Sequence, residues 1–141
     1  MKRIYKDSED NIRVVSIKTS FTPPEDWTFV GDVENEDIPT NKYKNCWVDN
    51  GSGGIKIDLP KARVQKENEI RTERDRILKL TDNAFLIALS KAEATTNIEA
   101  DKVLLRDMMA DVTTDLSSKI AATTIDAYDG FAAVTLAGTY E

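Results

Sequence analysis

The spacing of apolar and polar positions changes period along this chain, and the change divides it. Ile4 stands among charged neighbours, while Ile12, Val14, Val15 and Ile17 are β-branched, which suits half-buried strands over 3–6 and 12–17. The polar DSEDN between them reads as the turn of a hairpin. Thr22, Pro23, Pro24 and Glu25 break the pattern, and Trp27, Phe29 and Val30 predict a third strand ending at Gly31. Trp27 and Phe29 share one face of that strand and are expected to cover a small core. Residues 32–42 are acidic and turn-rich, a loop. Trp47 and Val48, then Asp49-Asn50-Gly51, then Ile55 and Ile57 predict another hairpin, because Asn-Gly favours the positive φ of a tight turn. The DNGSGG run lacks both the Gly-Lys-Ser/Thr of a phosphate loop and the alternating acids of a calcium loop, so it reads as a turn.

From Asp58 the period becomes helical. Asp58 is placed as an N-cap, Pro60 falls in the first turn where its missing N–H costs nothing, and Lys61–Leu80 holds no Gly or Pro. One helix is predicted over 59–80. Its apolar side is thin: Ala62, Val64, Ile70, Ile77 and Leu78, with Ile70 and Ile77 one heptad apart. Two readings stay open, a solvated helix docked only by its last turns and a helix that packs on copies of itself or on a partner along a narrow seam. Thr81 and Asp82 offer a new cap or a kink, and Phe85, Leu86, Leu89 and Ala92 give a face to a helix over about 82–94. Leu105, Met108, Met109 and Val112 then fall at i, i+3, i+4 and i+7, the most regular amphipathic signal, on a helix over about 98–112. These two methionines fit a core or an adaptable partner groove. Leu116, Ile120 and Thr124 share a face if Thr114 or Asp115 caps a further helix. Residues 131–140 (FAAVTLAGTY) alternate as a terminal strand that either folds back or pairs with another chain.

The fold class that follows is α+β: a small N-terminal antiparallel β arm over 1–58, a helical region over 59–126 and a tail over 127–141. Composition narrows the chemistry. The formal net charge is −6, yet residues 61–80 carry seven basic and four acidic side chains, the only basic stretch. Its cations alternate with acids and have no interleaved aromatics, so nucleic acid is not the expected partner; an acidic protein surface is. A chain without histidine has no imidazole acid or base, no Ser-His-Asp triad and no zinc-protease helix. Cys46, the single cysteine, leaves no internal disulfide framework, and no stretch approaches the ~18 apolar residues of a membrane span. Carboxylate couples such as Asp107 with Asp111, or Asp58 with Glu69, can be weighed for catalysis, but acids at i,i+4 are common on helix surfaces and no pocket-forming glycine or aromatic cluster accompanies them. No catalytic, cofactor-binding or metal-binding residue is expected. The candidates for an oligomer or partner interface are Val64, Ile70, Ile77, Leu78, Leu105, Met108 and Met109.

A resemblance enters at this point. Asp37-Ile38-Pro39-Thr40, Tyr43, Asn45 and Trp47 are followed by Ile57-Asp58-Leu59-Pro60-Lys61-Ala62-Arg63 at the helix start. Ile70-Arg71, Glu73-Arg74, Leu78, Leu80-Thr81-Asp82 and Leu104-Leu105-Arg106-Asp107 come after in order. Over residues 37–110 the chain resembles small proteins encoded among the tail and tail-fibre genes of tailed bacteriophages. The N-terminal arm and the last thirty residues depart from that pattern. The resemblance implies either a structural component of the virion (tail, collar or fibre attachment) or a tail-fibre assembly chaperone. The expected partners are the chain itself, as a trimer- or hexamer-related homo-oligomer, and other tail proteins, without nucleic acid or membrane; the expected location is the virion tail, after synthesis in the host cytoplasm. Of the two, the structural component is favoured.

Overall fold

The computed structural model describes residues 1–17 and 20–141. It is an α+β protein, and the chain forms two compact units, Met1–Ala62 and Arg63–Glu141.

In the first unit, β1 (Lys2–Lys6), β2 (Ile12–Ser16) and β3 (Thr28–Val33) make an antiparallel sheet in the order β2-β1-β3. The β1–β2 turn is built on one carboxylate. Asp7 Oδ1 accepts the N–H groups of Glu9 and Asn11, both at 2.9 Å, and Oδ2 accepts Arg13 Nη2 at 2.9 Å. Burial raises the Asp7 pKa, but these donors outweigh it and hold the carboxyl below its ordinary range. A second hairpin, β4 (Trp47–Asp49) and β5 (Ile55–Ile57), pairs as a separate two-stranded sheet. Its turn is tied by Asn50 Oδ1, which accepts the N–H groups of Ser52 and Gly54 at 2.8 and 3.0 Å, with Gly51 at φ 80°.

Gly31 does not end its strand. β3 runs on to Val33, because the missing side chain serves close approach: a Cβ there would lie 2.1 Å from the Gly53 carbonyl oxygen. The core of this unit is Ile4, Ile12, Trp47 and Ile55, flanked by Val14, Val30, Val33, Ile38 and Ile57. Trp27 and Phe29 are not in it. They gather with Phe21 around Tyr5, at ring-centroid distances of 6.0–6.3 Å, and Phe29 remains exposed. Cys46 is buried, its carbonyl accepting the Asp58 N–H at 2.8 Å, and burial with the Asp58 charge pushes its thiol pKa up.

The long helix α1 spans Leu59–Ser90. Asp58 caps it as expected, Oδ1 accepting the Lys61 N–H at 3.2 Å and the carbonyl accepting Ala62 N–H at 2.9 Å. Neither a cap nor a separate helix occurs at Thr81, which is fully buried and donates its hydroxyl back to the Leu78 carbonyl at 2.6 Å. A hydroxyl satisfied inside the helix has no reason to start a new one. The stop comes at Ala92, at φ 55°, where Glu93 N–H reaches the Ala88 carbonyl (2.8 Å) and Ala92 N–H the Leu89 carbonyl (3.1 Å). This is a Schellman ending with alanine in the glycine position.

In the second unit, α2 (Thr96–Ser117) runs back antiparallel to α1. Thr113 Oγ1 donates to Glu67 Oε1 at 3.0 Å and Lys102 pairs with Asp82 at 2.7 Å, which fixes the alignment of the two helices. Asp101, Leu105, Met108, Met109, Val112 and Leu116 are its buried face. Thr114 is mid-helix, its hydroxyl bonded to the Ala110 carbonyl, so it caps nothing. The chain leaves the helix at Ser118, and a six-residue helix α3 (Ala122–Ala127) buries Ile125 while Ile120 is 80% exposed. The expected strand over 131–140 does not form. The tail folds back in turns because its donors are taken: Asp101 accepts the N–H groups of Ala137 (2.8 Å) and Gly138 (3.0 Å) and the Tyr140 hydroxyl (2.5 Å).

Candidate functional site

The seven residues expected at an interface do not come together on one surface. Ile70 is buried beneath the tail, where a Cβ on Gly130 would come within 2.9 Å of its side chain. Leu105, Met108 and Met109 form the core of the helical unit. As side chains already packed inside their own chain, these four offer no surface to a partner. Ile77 and Leu78 are half-buried, and Val64 alone is more than half exposed. Of the heptad pair, Ile70 is thus packed within the unit, while Ile77 is half-buried.

The exposed apolar surface lies elsewhere on the same two helices. Leu86, Ile87 and Leu89 in the last turns of α1, and Val103 in α2, are each more than half exposed, with Leu104 close behind at 44%. Lys102 shows that these stretches adjoin: its ammonium is 2.7 Å from Asp82 and 4.6 Å from the centre of the Phe85 ring. The signal for this face was present in the sequence. Phe85, Leu86, Ile87, Ala88 and Leu89 are consecutive, as are Val103, Leu104 and Leu105. At about 100° per residue such runs wrap further around a helix than one neighbour can cover. Only Ala88 of the first run and Leu105 of the second are buried.

Asp58 is a cap. Asp107 and Asp111 line, with Asp115, Tyr128 and Asp129, a cavity of about 240 Å³, in which the Tyr128 hydroxyl donates to Asp115 at 2.9 Å. Burial and then the Asp115 carboxylate push the Tyr128 hydroxyl up to about 12, so it remains a proton donor at neutral pH. Among the described residues no group of acids and cysteines is arranged to hold a metal ion, and no helix is long and apolar enough to cross a membrane.

Fold and site together define an α+β protein with large exposed apolar side chains on the two helices of a hairpin. Compared with known proteins, the chain matches no family model, no curated sequence and no solved structure.

Proposed function

We propose that this chain is a non-enzymatic structural protein of a tailed-bacteriophage virion, a tail, collar or fibre-attachment component that acts through repeated protein-protein contacts. The observation that carries the reading is the exposure of large apolar side chains on α1 and α2: Leu86, Ile87, Leu89 and Val103 are each more than half exposed, and Leu104 is 44% exposed. Large apolar side chains grouped on a monomer's surface are costly to leave in water, and a second copy or a neighbouring tail protein covers them. The resemblance over residues 37–110 supplies the setting.

The test has two parts. Sedimentation velocity should show an oligomer that the double substitution Leu86→Asp with Leu89→Asp returns to monomer, leaving helix content unchanged because both side chains are exposed. Quantitative mass spectrometry of gradient-purified virions of a phage encoding the chain should find it at a fixed multiple of three or six copies. Absence from virions whose fibres nevertheless require the protein would identify an assembly chaperone instead. A strict monomer at high concentration would remove the basis for self-association.

A further inference from the structure

A groove of about 660 Å³ in the first unit is lined by four consecutive residues of β2: Ile12, Arg13, Val14 and Val15. Successive side chains of a strand point to opposite faces of the sheet, so a groove that meets all four lies along the strand's edge rather than over a face. β2 is an outer strand, paired on one side only. The far wall is the segment 38–41 with Lys44, and Trp47 joins the lining. A second cavity of about 220 Å³ shares Ile12, Arg13, Lys44 and Trp47, and prolongs the channel toward the β1–β2 turn.

The backbone along this edge is available. Asp7 N–H donates to the Asn11 carbonyl at 3.0 Å, and the β1–β2 register continues in step from that pair. Hydrogen-bonded and non-bonded pairs alternate in an antiparallel ladder, so Arg13 and Val15 bond to β1 while Ile12 and Val14 turn their N–H and C=O groups outward. Among the described residues, no backbone bond outside the ladder uses either of them.

Two further observations select the occupant. Trp47 is 5% exposed and its indole N–H has no hydrogen-bond partner among the described residues. A buried donor left unpaired is costly, and an arriving carbonyl or carboxylate would satisfy it. The charged side chains on the groove are Lys2, Arg13 and Lys44, with no carboxylate among them, on a chain of net charge −6. Arg13 is paired with Asp7, whereas Lys2 and Lys44 make no ion pair among the described residues.

We infer that this groove binds an extended, acidic peptide segment of another protein, which adds as a fourth strand alongside β2. Main-chain bonds to Ile12 and Val14 hold it, and Lys2 and Lys44 select its charge. The inference stands apart from the tail assignment, since it rests on the sheet edge and not on the helical face.

The experiment uses the full chain, labelled with ¹⁵N, and capped octapeptides that alternate valine or threonine with glutamate or aspartate. Binding should shift the Val14 amide and Trp47 indole resonances and slow exchange of the Val14 amide by roughly tenfold or more. Val14→Pro removes one outward donor and spares the bonds to β1, so it should abolish binding while the other sheet amides keep their exchange rates. Lys2→Glu with Lys44→Glu should weaken binding roughly tenfold and reduce its salt dependence. Unmoved Val14 and Trp47 resonances would overturn the inference. So would equal binding of the lysine-substituted peptides, or a single-stranded oligonucleotide shifting the same resonances when the peptides do not.

Discussion

The two units leave different things uncovered. The sheet unit closes its small core with Ile4, Ile12, Trp47 and Ile55, ties its turns with Asp7 and Asn50, and leaves backbone open along β2. The helical unit satisfies its backbone within α1 and α2 and leaves side chains open instead, at Leu86, Ile87, Leu89, Val103 and Leu104. A strand edge offers direction and register to a partner, whereas an apolar helix face offers area. One short chain thus carries two kinds of uncovered surface, a strand edge in one unit and apolar side chains in the other.

The largest expected effect lies in the helical core. Leu105 is fully buried, and Leu105→Ala should cost about 2–5 kcal/mol, read by urea denaturation followed through far-UV circular dichroism. Amide exchange in β1 and β2 should be unchanged; equal acceleration in both units would show that they unfold together and would blunt the contrast drawn above.

A smaller effect is expected at the tail anchor. Burial raises the Asp101 pKa, but the Tyr140 hydroxyl and the Ala137 and Gly138 N–H groups outweigh it, so the carboxyl lies below its ordinary value of 3.8. Its contribution is present above that value and is lost as pH falls through the lower folded one. Tyr140 works in the opposite sense: burial and then Asp101 push it up to about 12 from 10.0, so its contribution holds below 10.0 and is lost as pH rises toward 12. The tail should therefore be released in acid and again in strong base, seen as exchange of the Ala137 and Gly138 amides. Asp101→Asn keeps the shape but loses one acceptor oxygen, and should cost about 1–3 kcal/mol and remove the acid-side release. Persistence of that release in the variant would assign it to other carboxylates.

The smallest change should stabilise. Ala92 holds φ 55° with a side chain, and Ala92→Gly should raise stability by about 0.5–1 kcal/mol, measured as a rise of a few degrees in Tm. No rise would mean that glycine's greater freedom in the unfolded chain cancels the relief.

Much of this architecture was legible in the residues. Period-two spacing marked β1, β2, β4 and β5, the Asp58-Leu59-Pro60 start gave the helix its cap, and Leu105, Met108, Met109 and Val112 marked a buried face. What was not legible depended on partners distant in sequence. Gly31 reads locally as a stop and is instead the place where the Gly53 backbone lies close. Thr81 reads as a cap and is a buried mid-helix residue. The alternation of residues 131–140 reads as a strand, yet Asp101 takes the donors that a ladder would have used. For the interface, spacing alone could not separate packing on the same chain from packing on another, and Ile70, Met108 and Met109 prove to be buried in their own chain. Charging Ile70, which is buried, would damage the fold rather than report on assembly, whereas Leu86 and Leu89 are more than half exposed.

The seclusion of Cys46 has a consequence for chemistry done on the protein rather than by it. The residue is 3% exposed, and burial pushes its thiol pKa above the ordinary value. Toward maleimides and mild oxidants the folded chain should therefore behave as though it carried no cysteine at all. One thiol introduced at Leu89 and another, in a separate variant, at Val14 would each be the sole reactive handle, so that covalent capture in an assembling mixture could tell which neighbour sits on the helices and which on the strand.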